Sequence, residues 1–302
     1  SQAKNKQIFK EWGVLGQESH GIKNFVVYYP ANADIRTYHG IDDEFFKKIT
    51  LSVHEITPEA LTGLLQGISD AAAQNLPDIF RYWQNIVKKE ENTFNDFANY
   101  FIQVGEEEDR RFRILNTRGD QLEIPLHPST YSNVQRALVS ASKFFDNTDA
   151  IVLDETDILV KGKMSVINVG SQGMEFGSIM LRHLLHRIVE TNSRKEDKVP
   201  ILIIIDEVHN FYNSNAAQEA LGDLDTICRQ GRSQKIGVIF SSQNPNDIPS
   251  GLTSVINTKI FFKSDFTTSK SHVVGISNEE FESLQKGFAV GHIHDLSQLR
   301  IL

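Results

Sequence analysis

The sequence predicts an α/β protein with a mainly parallel sheet and an all-α block inserted after an early strand. Three observations lead there. "PILIIIDEVHNF" (residues 200–211) carries an aliphatic run straight into two adjacent acids, the pattern of a strand buried on both faces. Beyond residue 151, apolar strands alternate with amphipathic helices at βαβ spacing, which implies parallel pairing through right-handed crossovers. Between residues 57 and 148, apolar positions recur at helical spacing instead.

Each element has its own warrant. "NFVVYYP" (24–30) reads as a short strand closed by Pro30. Thr57 suits a helix cap and Pro58 a first helical position, followed by the stripe Leu61, Leu64, Leu65 and Ile68. A second helix starts at "PDIFRYWQNIVKK", with Ile79, Phe80, Trp83 and Val87 inward. "TFNDFANYFIQV" gives a third, with Phe94, Phe97, Phe101 and Val104 as core aromatics and aliphatics. "EEEDRRFR" (106–113) reads as a solvated charged segment, and 129–145 as a helix with Val134, Leu138, Ala141 and Phe145 inward. Then come a strand at "KMSVINVG" (163–170) and a helix over 174–190 carrying Phe176, Met180, Leu184 and Ile188. The 200–206 strand, a helix over 216–230, and strands at 236–243 and 258–263 follow. The expected division is an early strand and loop (1–56), a helical insertion (57–148) and the main α/β core (149–302).

Composition narrows the class. The 302 residues, 40% apolar, can bury a substantial core in one large or two modest domains. The aliphatic run before Asp206 is far short of the roughly 20 residues that span a bilayer, and "SQAKNKQIFKEWG" lacks a signal-peptide core. No membrane association is expected. The single cysteine, Cys228, excludes an intrachain disulfide and fits a cytoplasmic location. A net charge of −8 excludes a uniformly basic nucleic-acid surface while leaving room for a local basic channel.

The chemistry-bearing residues cluster at strand ends. Asp206 can hold Mg2+ beside phosphates, because that ion takes hard oxygen ligands and keeps several waters. Glu207 can orient and deprotonate an attacking water. One βαβ unit later, "IGVIFSSQNP" ends an apolar strand in Gln243, whose amide can position that water. Arg229 and Arg232 stand just before this strand, with Lys235 behind them. Either guanidinium could stabilise developing phosphoryl charge, and both equally suit a helix C-terminus.

A Gly-rich phosphate loop, G-x-x-x-x-G-K-[ST], has no copy in the sequence. "GQESHGIK" (16–23) fails because Lys23 is displaced, Asn24 replaces the hydroxyl, and a strand follows instead of a helix. His183 and His186 have no zinc-ligand pattern around them, His209 is better placed to line a cleft than to bind metal, and Ser241 and Ser242 lack a nucleophile elbow.

Taken together, "ILIIIDEVHNF", "RQGRSQKIGVIFSSQNPNDIP", "SVINTKIFFKSD" and "LQKGFAVGH" resemble the consecutive motifs of the HerA/FtsK group of RecA-like ATPases, HerA in particular. "KMSVINVGSQGMEFGSIMLRHLLHRI" resembles the strand and helix preceding that group's acid pair, so the likeness covers about residues 160 to 295. The resemblance implies a RecA-like three-layer core and an ATP-hydrolysing hexameric DNA translocase or helicase. Such a protein works in DNA-end processing or antiviral defence, with a nuclease or effector partner. It further implies ATP and Mg2+ as cofactors, duplex DNA in a central pore, Asp206 on the metal, Glu207 as catalytic carboxylate and Gln243 as sensor. Arg232 becomes the first candidate for a finger acting on the neighbouring subunit, with Arg229 second. Lys259, Lys263 and Lys270 are candidates for a DNA-facing surface.

Ser242 stands where the family has threonine and Val208 where it has alanine. The missing phosphate loop is the serious departure. It implies the C-terminal portion of a longer ATPase, inactive by itself. The alternatives are a degenerate RecA-like scaffold or regulator, and the ATPase of a conjugation or secretion machine.

Overall fold

A computed structural model describes residues 22, 24–31, 33, 43–65, 70–168, 174–194, 197–208, 224, 227, 229, 231, 233–243, 255–263, 282–293 and 300–301, some inside helices by backbone alone. The chain divides into two compact units, Ser1–Thr191 and Asn192–Leu302.

The first unit is organised by a four-stranded sheet. Strands β1 (Phe25–Pro30) and β2 (Phe46–Thr50) pair in parallel, with a 3-10 turn at Asp43–Phe45 between them. Strand β5 (Ile151–Val152) pairs with β2 and β6 (Met164–Ile167) with β1, both in parallel, giving the order β5-β2-β1-β6. In β1, Val27, Tyr28, Tyr29 and Pro30 are all buried, as a central parallel strand requires.

Residues between β2 and β5 form an expanded crossover. It leaves the sheet at Leu51 and returns beside it, where Leu51 N–H donates to Phe144 O at 3.0 Å and Leu51 bridges to Phe145. A 3-10 stretch covers Pro58–Leu65, in place of the expected α-helix. Helix α1 runs Asp70–Tyr82 and continues as a π turn over Trp83–Val87. The helix therefore begins upstream of Pro77, which sits inside it and not at its start. Helix α2 spans Phe94–Glu107. Its start is fixed by Thr93, whose N–H and hydroxyl both donate to Asp96 Oδ2, at 2.7 and 2.9 Å. Those bonds, the backbone one first, hold the Asp96 carboxyl below its usual range.

The inserted block is not all-α. The segment expected to be solvated turns into a hairpin, β3 (Arg111–Leu115) against β4 (Gln121–Pro125), antiparallel. Phe112 and Ile114 are buried while Arg111 and Arg113 are exposed, a period of two masked in the sequence by the flanking charges. Helix α3 (Pro128–Ala141) follows, with Val134, Leu138 and Ala141 buried as expected.

Aromatic packing joins these pieces. Phe97 meets Phe80 and Trp83 at ring-centroid distances of 4.8 and 5.3 Å, and Phe94 stacks on Phe145 at 3.9 Å. Phe101 stacks on Phe112 at 4.6 Å and on Tyr131 at 5.4 Å, and those two rings meet at 6.4 Å. Tyr131 fits because Gly105 lacks a side chain: a Cβ there would lie 2.0 Å from the ring.

The short helix α4 (Glu155–Ile158) packs against helix α5 (Met174–Arg194) through charge. Arg187 pairs with Glu155 at 2.7 Å and Asp154 at 3.4 Å, and Thr191 Oγ1 donates to Glu155 at 3.0 Å. His183, one turn before Arg187, is buried, and its Nδ1 has no hydrogen-bond partner among the described residues.

The second unit holds β7 (Ile201–Ile205) parallel to β8 (Ile236–Phe240). A second sheet has the order β11-β10-β9, with β9 (Thr258–Phe262), β10 (Ala289–Ile293) and β11 (Arg300–Ile301). The pairing is mainly parallel, as expected, in β1, β2 and β5 to β8, while β9 runs antiparallel to β10. The sequence signal for β10 sits within "LQKGFAVGH", whose glycines hide its strand character. Among the described residues no helix is long and apolar enough to cross a membrane.

Candidate functional site

Strands β7 and β8 lie in register, Ile201 opposite Ile236 through Ile205 opposite Phe240, so their carboxyl ends fall level. The ladder continues past β8: Ser241 N–H donates to Ile205 O, and Val208 N–H returns to Ser241 O, each at 3.0 Å. Asp206 and Glu207 are the turn between those two bonds. Val208 is completely buried and anchors the turn from below, which gives the valine that replaces the family's alanine an apolar role.

Glu207 adopts a left-handed backbone, φ 48°, which costs a non-glycine residue roughly 1–2 kcal/mol. The step is supported by Asp206 Oδ1, which accepts the Glu207 N–H at 3.1 Å. The turn sets the Glu207 carboxylate against the end of β8, where Oε1 accepts a hydrogen bond from Gln243 Nε2. Asp206 and Gln243 are exposed and Glu207 is half-buried. The structure thus brings together three of the five residues singled out from the sequence.

The other two are arginines. Arg229 lies on the helical stretch before β8 and is exposed. Arg232 lies outside the described residues, as do His209, Lys270 and all of the 16–23 segment except Ile22. Lys259 is half-buried on β9, and Lys263 is exposed just after it.

Sequence reasoning missed what positions β8. The preceding helical stretch buries Leu224, Ile227 and Gly231. At Gly231 a Cβ would stand 2.5 Å from the carbonyl oxygen of Ile236, so the helix end reaches the strand only because no side chain intervenes. Asn192 Nδ2 donates to Gln234 O at 2.5 Å, Lys198 Nζ to Ser233 O at 3.3 Å, and Ile201 N–H to Lys235 O at 2.9 Å. A glycine inside a helical pattern was the one available signal of this approach.

Chemically, the exposed Asp206 carboxylate offers a hard oxygen at a strand end, and one carboxylate plus waters suits Mg2+. Among the described residues no group of three or more His, Cys, Asp or Glu is arranged to hold a metal. Among the described residues, β8 pairs on one edge only, with β7.

A family model, Helicase HerA-like C-terminal, matches residues 127–283, more than half of the chain and both strand ends of the site. The chain belongs to this family. It is 24% identical over 203 residues to the DNA double-strand break repair helicase HerA of Sulfurisphaera tokodaii, covering 65% of this chain and 38% of that protein. It therefore spans well under half the length of that relative. Among solved structures it is similar to VirB4 of Thermoanaerobacter pseudethanolicus, with TM-score 0.55 and 12% identity over 100% of this chain and 85% of the other. It is also similar to the bacterial conjugative coupling protein TrwBdeltaN70, with TM-score 0.53 and 12% identity over 92% and 76% of the two chains. At that identity the likeness defines the fold, which is that of the RecA-like P-loop ATPases of the HerA, FtsK and VirB4 group.

Proposed function

We propose that this HerA-family chain is the catalytic-strand portion of an ATP-hydrolysing DNA translocase or helicase subunit. The observation that carries the reading is the convergence of Asp206, Glu207 and Gln243 at the level ends of β7 and β8. Asp206 would hold Mg2+, which when bound neutralises phosphate charge. Glu207 would accept the proton of the attacking water, and Gln243 would orient that water through its amide. Arg232, with Arg229 as second candidate, would act on nucleotide bound by the neighbouring subunit of a homo-hexamer, and duplex DNA would thread the pore. Lys259, Lys263 and Lys270 would contribute to the DNA-facing surface.

The grip on the β- and γ-phosphates would come from a Gly-rich loop that these residues do not contain. Its strand would pair with the second edge of β8. Residues 57–148 would be a family-specific insertion, suited to docking a nuclease or effector. The protein would act in the cytoplasm.

The test is ATP hydrolysis by the full-length protein with and without duplex DNA. DNA-stimulated, Mg2+-dependent turnover is expected. Turnover indifferent to DNA removes the translocase reading, and its absence under all conditions supports a scaffold instead.

A further inference from the structure

We infer that Gln243 is a latch on Glu207, holding the catalytic carboxylate occupied until a nucleotide's terminal phosphate takes the amide away. The inference rests on the ATPase reading and adds a resting state to it. Gln243 Nε2 donates to Glu207 Oε1. An amide N–H on Oε1 takes one of the carboxylate's lone-pair sites, fixes its orientation and lowers its basicity toward the proton of a water.

The arrangement is built into the backbone. Glu207 is held left-handed at φ 48°, its N–H is taken by Asp206 Oδ1 at 3.1 Å, and Val208 is tied to Ser241 at 3.0 Å. The carboxylate sits in a hydrogen-bonded turn tied to Ser241, and the amide stands two residues beyond that serine. Gln243 is exposed, so an incoming oxyanion can reach its N–H groups. A phosphate oxygen and the Glu207 carboxylate then compete for the same donor. Nucleotide binding and release of the carboxylate become one exchange, so hydrolytic competence appears only when phosphate is present.

Competition predicts a measurable coupling. Full-length wild type, Glu207→Ala, Gln243→Ala and the double variant are titrated with Mg2+ and ATPγS. Removing Glu207 also removes a negative charge, which by itself tightens nucleotide binding whatever stands at position 243. The latch predicts more: Glu207→Ala tightens ATPγS binding about five- to tenfold with Gln243 present, and less than about threefold in the Gln243→Ala background. In nucleotide-free protein, Glu207→Ala should shift the Gln243 side-chain amide resonance, and ATPγS should move the wild-type resonance towards the same position. Equal tightening in both backgrounds, or an amide resonance blind to Glu207, overturns the latch alone. Wild-type protein that binds no ATPγS overturns the nucleotide reading and the latch with it.

Discussion

Gly231→Ala separates two opposed effects. On propensity alone, alanine inside a helix should stabilise by about 0.5–1 kcal/mol. The structure predicts the opposite sign. The new Cβ would stand 2.5 Å from the Ile236 carbonyl oxygen, against an ordinary contact of about 3.4 Å or more. The helix end and the start of β8 must then separate by nearly an ångström. Neither side yields readily: Asn192 and Lys198 hold the carbonyls of Gln234 and Ser233, and Ile201 N–H holds that of Lys235. Overpacking of this kind costs roughly 1–3 kcal/mol, so the net loss should be about 1–2 kcal/mol after the propensity gain. For a unit of this size that is a fall of several degrees in the unfolding midpoint. Urea or thermal unfolding followed by a probe in residues 192–302 reads it directly. An unchanged or raised midpoint refutes the claim that helix and strand meet through this glycine.

Other consequences lie in the first unit. His183 is pushed down to about 4, first by burial and then by the Arg187 guanidinium, against the opposing pull of Glu155 and Asp154; His186 adds a weaker downward push. Between the unfolded value near 6.5 and 4, the unfolded chain binds the extra proton. This stability is therefore present above pH 6.5 and lost as pH falls towards 4, by about 3 kcal/mol at most. His183→Leu should flatten that part of the pH dependence of urea unfolding, and parallel curves for the two proteins would contradict it. Asp146 accepts Val53 N–H at 3.0 Å and Phe94 N–H at 2.7 Å from a left-handed backbone, φ 52°. Asp146→Ala should cost about 2–4 kcal/mol, and Asp146→Asn, which tolerates that backbone and keeps one oxygen, should cost about half as much.

Periodicity made helices α2, α3 and α5 legible, because Phe94, Phe97 and Phe101, or Val134 and Leu138, mark a single face. Aliphatic runs marked β1, β7 and β8 in the same way. Strand β2 was hidden by the exposed Lys47 and Lys48, and β5 is only the pair Ile151–Val152. The hairpin β3–β4 was hidden by its outward arginines. For the site, residue types at strand ends singled out Asp206, Glu207 and Gln243, which the structure places together. The left-handed turn at Glu207 and the Glu207–Gln243 contact had no sequence signature, because both depend on how β7 registers against β8. Gly231 was visible, yet its meaning lies in a distance to a backbone atom that no one-dimensional pattern encodes.

The most direct test of the central claim is single-turnover ATP hydrolysis by full-length protein carrying Glu207→Gln, with nucleotide binding measured on the same sample. The account predicts retained or tighter binding and a loss of about 10²- to 10⁴-fold in the hydrolysis rate, the usual contribution of a positioned general base. Hydrolysis at the wild-type rate would contradict the role given to the β7 strand end.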